Sequence, residues 1–165
     1  MIARSHRRAL SVPALLLVLP ALAGAQAPAP AAPPVDPETV AIARLLDSFM
    51  DALCTADIDR FQALFAPDAT VFFPLPALPL RLENKEQVVK AFGAFFEAVR
   101  RGGSGPRYMN LVAQDVRIQH YGTLAVVTFH LKGPEMISRR TVVVHKQNAS
   151  WLIVHVHASN QPVQR

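Results

Sequence analysis

The chain has 165 residues, of which 51% are hydrophobic and 18% charged, and its formal net charge is +5 at pH 7. This length corresponds to one domain. Beyond the N-terminal segment, basic residues cluster only in the pairs Arg100-Arg101 and Arg139-Arg140, which argues against a nucleic-acid partner or a membrane-surface role. Cys54 is the one cysteine, so the chain forms no intramolecular disulfide, and its amphipathic surroundings predict a buried, inert thiol.

The first 25 residues have the three parts of a secretory signal peptide. Three arginines precede a mostly apolar stretch from Ala9 to Leu22, and Ala23-Gly24-Ala25 forms a small-x-small cleavage site. We therefore expect cleavage before Gln26 and a periplasmic or secreted protein without a stable membrane anchor. The residues around Arg7-Arg8 fit a twin-arginine signal poorly and favour the general route, but the sequence does not decide between the two. The Ala/Pro-rich leader is typical of a bacterial protein. Its removal leaves 14 basic against 12 acidic side chains, so the mature protein is weakly basic.

Composition divides the remaining chain into three parts. Residues 26–36 are rich in proline and alanine, which predicts an extended tether. The apolar periodicities that predict regular structure occupy residues 37–160, and we assign this range to a single domain. Residues 161–165 form a short tail.

Capping residues mark where the helices begin. Asp36, followed by proline, predicts the start of a helix that continues to about Thr55. Asp57 predicts a second, short helix that ends before Pro67. Asn84 with Gln87 resembles a capping box, and the helix that it starts ends at RRGGSG.

Strands dominate the second half of the chain. DATVFF predicts one strand, and the proline-rich PLPALPLRL that follows it predicts a connection rather than a central strand. Four further strands are predicted at residues 107–120, 123–131, 138–146 and 150–159. Helices followed by antiparallel strands indicate an α+β domain with the helices on one face of a curled sheet.

The last predicted strand, WLIVHVHASN, carries two histidines at positions i and i+2. Strict alternation places five side chains on one face: Trp151, Ile153, His155, His157 and Ser159. The two imidazoles can serve as metal ligands, as polar groups of a pocket, or as structural partners in the sheet or in a subunit interface. A zinc site needs a third ligand, and the sequence shows none that clearly converges on the pair, so we expect no metal.

The segment TVVVHKQNASWLIVHVHAS, residues 141–159, resembles the nuclear transport factor 2-like superfamily, also called SnoaL-like or ketosteroid-isomerase-like. It is most similar to the association (hub) domain of calcium/calmodulin-dependent protein kinase II, in which a threonine strand ends in histidine and is followed by tryptophan and V-H-x-H-x-S. FMDALCTADIDRFQALFAPDATVFF resembles the family's first two helices and first strand. The resemblance spans about residues 40–160 and implies a cone, in which three helices pack on the concave face of a curved, mixed sheet.

The resemblance also implies a cavity inside the cone, and so a small, largely apolar ligand. The polar and aromatic groups that we expect to line it are His155, His157, Ser159, Thr141, Tyr108 and Trp151. No cofactor is implied. Relatives bury the outer side of the sheet between subunits, which implies a homodimer or a larger homo-oligomer. The alternative function is a non-catalytic assembly module; a filled cone with a large apolar outer sheet would favour it, and a clearly polar, open cavity would favour ligand binding.

Two features limit what the resemblance implies about chemistry. Hub domains bind carboxylates with arginines that point into the cone, whereas Val142 and Leu131 occupy two of those positions here. Arg139 and Arg140 are near these positions in sequence but out of register with them, so carboxylate binding cannot be carried over from the hub domains. An isomerase reaction needs a carboxylate base, and the nearest candidates, Asp68 and Asp115, lie in patterns typical of a turn and a solvated strand face. The sequence leaves open whether the protein is an enzyme.

Overall fold

The computed structural model describes residues 36–74, 80–133 and 135–163, so the predicted signal peptide lies outside the described residues. The helices are α1 Pro37–Thr55, α2 Ile58–Ala63 and α3 Lys85–Gly102. The strands are β1 Phe65–Phe72, β2 Ala113–Tyr121, β3 Leu124–Lys132, β4 Met136–Gln147 and β5 Ser150–Pro162. Within the described part of the chain, no helix combines the length and apolarity needed to span a membrane.

Each helix begins at the capping side chain that the sequence predicts. Asp36, Asp57 and Asn84 each accept a hydrogen bond from a backbone N–H two or three residues further along the chain. These bonds satisfy N–H groups that have no partner inside the helix, and they therefore fix where each helix starts. The predicted boundaries of α1 agree with the structure, because α1 ends at Thr55 and Ala56 then adopts a left-handed conformation with φ of 51°.

The five strands form one mixed sheet in the order β1-β5-β4-β3-β2, in which β1 runs parallel to β5 and the other neighbours are antiparallel. The helices lie on one side of this sheet. We call that side the inner face; it carries Ala125, Val127 and Phe129 of β3 with Val142 and Val144 of β4, all of them buried. The opposite side is the outer face. This architecture confirms the predicted α+β cone.

The strand predicted to begin at Arg107 begins only at Ala113. The backbone N–H groups of Tyr108 and Met109 both donate to the carbonyl of Cys54, at 2.8 and 3.1 Å. Since these groups bind the end of α1, the segment cannot pair with β3 until Ala113. The prediction was wrong here because hydrophobic patterning does not show which partner the backbone will choose.

Strand β5 contains a bulge at Val154. Val144 pairs with Ile153 and Val143 pairs with His155, so Val154 has no partner of its own on β4. An extra residue on one strand interrupts the regular alternation, and the side chains that follow it change face.

The bulge reverses the predicted orientation of the two histidines. Trp151 is buried on the inner face before the bulge, and Val156 and Ala158 are buried on the same face after it. His155 is partly buried and His157 is exposed, both on the outer face. The prediction that they share a face with Trp151 was therefore wrong, because it assumed an uninterrupted alternation.

A cluster of phenylalanines fills the space between the helices and the inner face. Phe61 is fully buried at its centre, with ring centroids 4.6 to 5.6 Å from those of Phe49, Phe65, Phe92 and Phe96. These rings come from α1, β1 and α3, so the cluster joins the sheet to the helices. Aromatic pairs at such distances contribute beyond the apolar area that they bury.

Candidate ligand-binding cavity

The phenylalanine cluster does not fill the cone. A cavity of about 460 Å³ lies beside it, walled on the aromatic side by Phe49, Phe61, Phe65, Phe73, Phe92 and Phe95. This volume falls in the range of small-molecule sites, which are mostly apolar with a few placed polar groups. The cone is therefore open, as the ligand-binding alternative requires, but its walls are mostly apolar rather than clearly polar.

Most polar groups of the cavity come from the end of β3 and the first part of β4. Its lining includes Asn110, Lys132, Ser138 and Arg140. The Ser138 hydroxyl donates to the side-chain carbonyl of Asn160 at 2.6 Å, which fixes the hydroxyl orientation on the neighbouring strand. Hydrogen-bonding groups are thus concentrated at one end of an otherwise apolar space.

Of the two charged residues in the described lining, Arg140 is partly buried and Lys132 is exposed. Arg140 pairs with Phe129 and Ala158 on the inner face, and its guanidinium carbon lies 5.5 Å from the centroid of the Phe73 ring. Burial lowers the pKa of Arg140 to about 10, which still leaves it charged at neutral pH.

No carboxylate in the described residues forms an ion pair with Arg140. Its one hydrogen bond within the described chain is a 3.3 Å contact to the carbonyl of Arg139. A cation removed from water without an anionic partner is costly. The cavity therefore presents a guanidinium with unused donors.

Arg140 lines this cavity although it is out of register with the positions of the hub arginines, which Val142 and Leu131 occupy. Arg140 is two and four residues from Val142 and Val144, so its side chain lies on the same inner face of the sheet. That two-residue spacing is visible in the sequence. The spacing alone does not show which face is buried, because the segment TVVVH is apolar at successive positions.

The described lining of the cavity contains no aspartate, glutamate or histidine. Asp68 is exposed, and the Asp115 side chain is 81% exposed beside the His130 ring, with 3.4 Å between Oδ2 and Nδ1. Both aspartates are thus solvated, as their sequence patterns indicate. Neither can act as a base on a molecule held in the cavity.

The six residues predicted to line the cone lie elsewhere. His155, His157, Thr141 and Ser159 are on the outer face, where β4 pairs with β5 beyond the bulge. Trp151 is on the inner face but outside the cavity; its indole N–H donates to Glu38 of α1 at 2.8 Å.

Tyr108, the sixth candidate, also lies outside the cavity wall. It packs partly buried beside Gly103, after the end of α3, whereas its neighbour Met109 does line the cavity.

His155 and His157 belong to a small aromatic group on the outer face. The Thr70 hydroxyl lies 2.8 Å from His155 Nδ1, and both imidazole centroids lie 5.7 Å from the Phe72 ring. Burial, followed by the charges of His157 and Arg81, lowers the pKa of His155. No three His, Cys, Asp or Glu side chains in the described ranges come together as a metal site.

The comparisons with known proteins agree with this architecture. A family model described as a SnoaL-like domain matches residues 42–164, and the chain therefore belongs to the SnoaL-like family. No curated protein matches the sequence.

Solved structures share the fold at low sequence identity. A putative dehydratase of the NTF2-like family from Streptomyces avermitilis is 19% identical, with 79% of this chain and 100% of that chain covered and a TM-score of 0.62. A putative ketosteroid isomerase from Parabacteroides distasonis is 22% identical, with 73% and 85% covered and a TM-score of 0.56. The CaMKII hub of S. rosetta is 25% identical, with 78% and 99% covered and a TM-score of 0.59. Structures described as putative enzymes and as a CaMKII hub thus share this fold.

Proposed function

We propose that this protein binds a small, largely apolar molecule that carries an acidic group, with the acid held by Arg140 and the apolar body among the phenylalanines. The observation that carries the proposal is a charged guanidinium beside an aromatic cavity, with no acidic partner in the described residues. A carboxylate can accept two parallel hydrogen bonds from a guanidinium, and such charge-assisted bonds are strong where water is excluded.

The other polar groups of the cavity extend the same site. Asn110 supplies an amide and Ser138 a hydroxyl at the end of the cavity that also contains Arg140. Neutral hydrogen-bonding groups of this kind fix the orientation of a ligand and add little charge. The ligand class is therefore a small amphipathic acid, with its polar end toward β4.

Binding fits the cavity better than catalysis of the isomerase or dehydratase type. Those names describe structural neighbours, and their chemistry requires a positioned base. The described lining has no carboxylate or imidazole to fill that role. The chemistry of the lining therefore supports retention or transport of the molecule.

Isothermal titration with matched pairs of aryl carboxylates and their neutral primary amides tests the proposal. The acids should bind the wild type, the amides should bind at least about tenfold more weakly, and Arg140→Gln should remove this difference. Arg139→Gln is the matched control, since Arg139 is the adjacent residue and is exposed on the outer face. Equal affinity for acid and amide, or an undiminished preference in Arg140→Gln, would contradict the proposed role of Arg140.

An assembly role is the second candidate, and the outer face supports it. Its centre carries partly exposed apolar and β-branched side chains, namely Val126, Thr128, Thr141, Val143 and Leu152. One structural neighbour is a hub domain. A homo-oligomer formed through this face leaves the cavity on the opposite side of the sheet, so the two functions are compatible.

We also propose that the protein acts after export, in the periplasm or outside the cell. The order of basic, apolar and small residues in the first 25 positions supports this location.

A further inference from the structure

The outer face of the sheet is rich in histidine. The described chain contains five histidines, and four of them, His130, His145, His155 and His157, project from this face. His120 is the exception, because it pairs with buried Ala125 and its ring lies against Trp151, at 5.6 Å between centroids.

Other charges on the outer face are mostly positive. Arg117 on β2 and Arg139 on β4 are exposed there. Asp115 on β2 is acidic, but it already approaches His130. Protonation of the imidazoles therefore adds charge to a surface that is basic at neutral pH.

No carboxylate in the described residues forms an ion pair with His155 or His157. Strand β1 places Thr70 and Phe72 beside them, and β4 places Thr141 and Val143 opposite them. The nearby cation, Arg81, lies over the Phe72 ring at 5.9 Å and is paired with Glu83 at 2.9 Å. Arg81 acts against protonation of His155.

The size and composition of the outer face fit a second copy of the same chain. Five strands about 4.8 Å apart, with roughly ten residues each at about 3.3 Å, cover on the order of 800 Å². A stable dimer buries about 800 Å² on each partner, with an apolar centre and a polar rim. A two-fold axis through β4 would place the central Thr141 and Val143 of two copies against each other.

We infer that protonation of His155 and His157 weakens the contact of this face with a second copy, so that the assembly is stable at neutral pH and dissociates in acid. This inference rests on the assembly role proposed above. Neutral imidazoles can be buried with hydrogen-bond partners, whereas imidazolium groups on both copies would repel each other and lose their hydration. The free protomer therefore binds protons more tightly than the assembly, and association weakens as the pH falls.

Sedimentation velocity of the purified protein at pH 8.0 and pH 5.5, at constant ionic strength, tests the inference. We expect an oligomer at pH 8.0 and a dissociation constant at least about tenfold higher at pH 5.5, because one linked proton changes the constant by about tenfold per pH unit. His155→Gln/His157→Gln should remove most of this change. His120→Gln is the control on the inner face, and it should retain the full pH dependence.

The possible outcomes distinguish failure of the assembly role from failure of the histidine mechanism. A protein that is monomeric at both pH values up to about 50 μM overturns the assembly role itself. An oligomer with the same dissociation constant at both pH values, or a double variant that keeps the full change, overturns the histidine mechanism alone. Circular dichroism at pH 5.5 must show that the dissociated protein is folded, since loss of the fold there would overturn the mechanism. The single variant His157→Gln, at an exposed position, should show a smaller change of the same sign if the double variant does not fold.

Discussion

Thr70 Oγ1 lies 2.8 Å from His155 Nδ1, across the parallel pairing of β1 and β5. The bond gives a partly buried imidazole a partner on the neighbouring strand, and it exists because the bulge at Val154 turns His155 toward the outer face. It makes His155 a structural group of the sheet.

Replacement of His155 should cost more stability than replacement of His157. His155→Ala removes the hydrogen bond and leaves a partial void, which should lower the free energy of unfolding by about 1–3 kcal/mol. His157→Ala is the matched control, because its ring lies at the same 5.7 Å from Phe72 but it is exposed and forms no hydrogen bond to Thr70. It should change stability by about 0.5 kcal/mol or less. Urea denaturation at pH 8 measures both, and equal, negligible effects would contradict a structural role for His155.

Stability should fall as the pH decreases past the ordinary pKa of histidine. Burial is the largest cause of the lowered pKa of His155, so the unfolded chain binds this proton more tightly than the folded one. The contribution of neutral His155 is therefore complete above about pH 6.5 and is lost as the pH falls through the folded pKa. Urea titrations of His155→Gln between pH 8 and pH 5 should show a shallower decline than the wild type. Superimposable profiles would show that His155 does not contribute to the decline.

Removal of the Arg140 charge should not destabilise the empty protein. Arg140→Met keeps most of the apolar stem that packs near Phe73 and deletes a partly buried cation that has no acidic partner in the described residues. We expect an unfolding free energy that is unchanged or raised by about 1 kcal/mol, because replacing an uncompensated buried charge relieves its desolvation. Arg139→Met should be neutral. A loss of more than about 2 kcal/mol in Arg140→Met would indicate that the arginine is a structural support rather than a ligand-binding group.

Export should remove the first 25 residues. The small residues Ala23 and Ala25 flank the expected cleavage site, so the mature chain should begin at Gln26. N-terminal sequencing of the exported protein measures this directly. Ala25→Asp should block cleavage at this position, and recovery of the exported wild-type protein with Met1 intact would disprove the assignment.

The sequence predicts the order of elements well because local signals mark their ends. Asp36, Asp57 and Asn84 cap helices through their own side chains, and the turn of β4 into β5 contains Asn148 and Ala149, both with positive φ. Such signals depend on a few adjacent residues, so they survive in a single sequence.

The candidate site is harder to predict because it depends on one backbone irregularity and on packing. No glycine or proline marks the bulge at Val154, yet that one residue decides whether His155 and His157 face the cavity or the outer side. The position of Arg140 follows from the alternation of side chains along β4. The sequence does not show which of the two faces is buried, because this segment is apolar on both. The cavity itself depends on how far the phenylalanine rings fill the cone, which is a property of three-dimensional packing.

The backbone of Cys54 contacts the segment that follows α3, which forms part of the cavity wall. The accessibility of the Cys54 thiol should therefore depend on local opening of this wall. Met109 donates to the Cys54 carbonyl, the Cys54 sulfur lies 3.6 Å from the Leu111 carbonyl, and both Met109 and Leu111 line the cavity. Cys54 is fully buried and is the one cysteine of the chain, so a thiol reagent can modify it only after the structure around it opens, as it would when this wall separates from α1. An occupant that holds the wall closed should therefore slow the labelling.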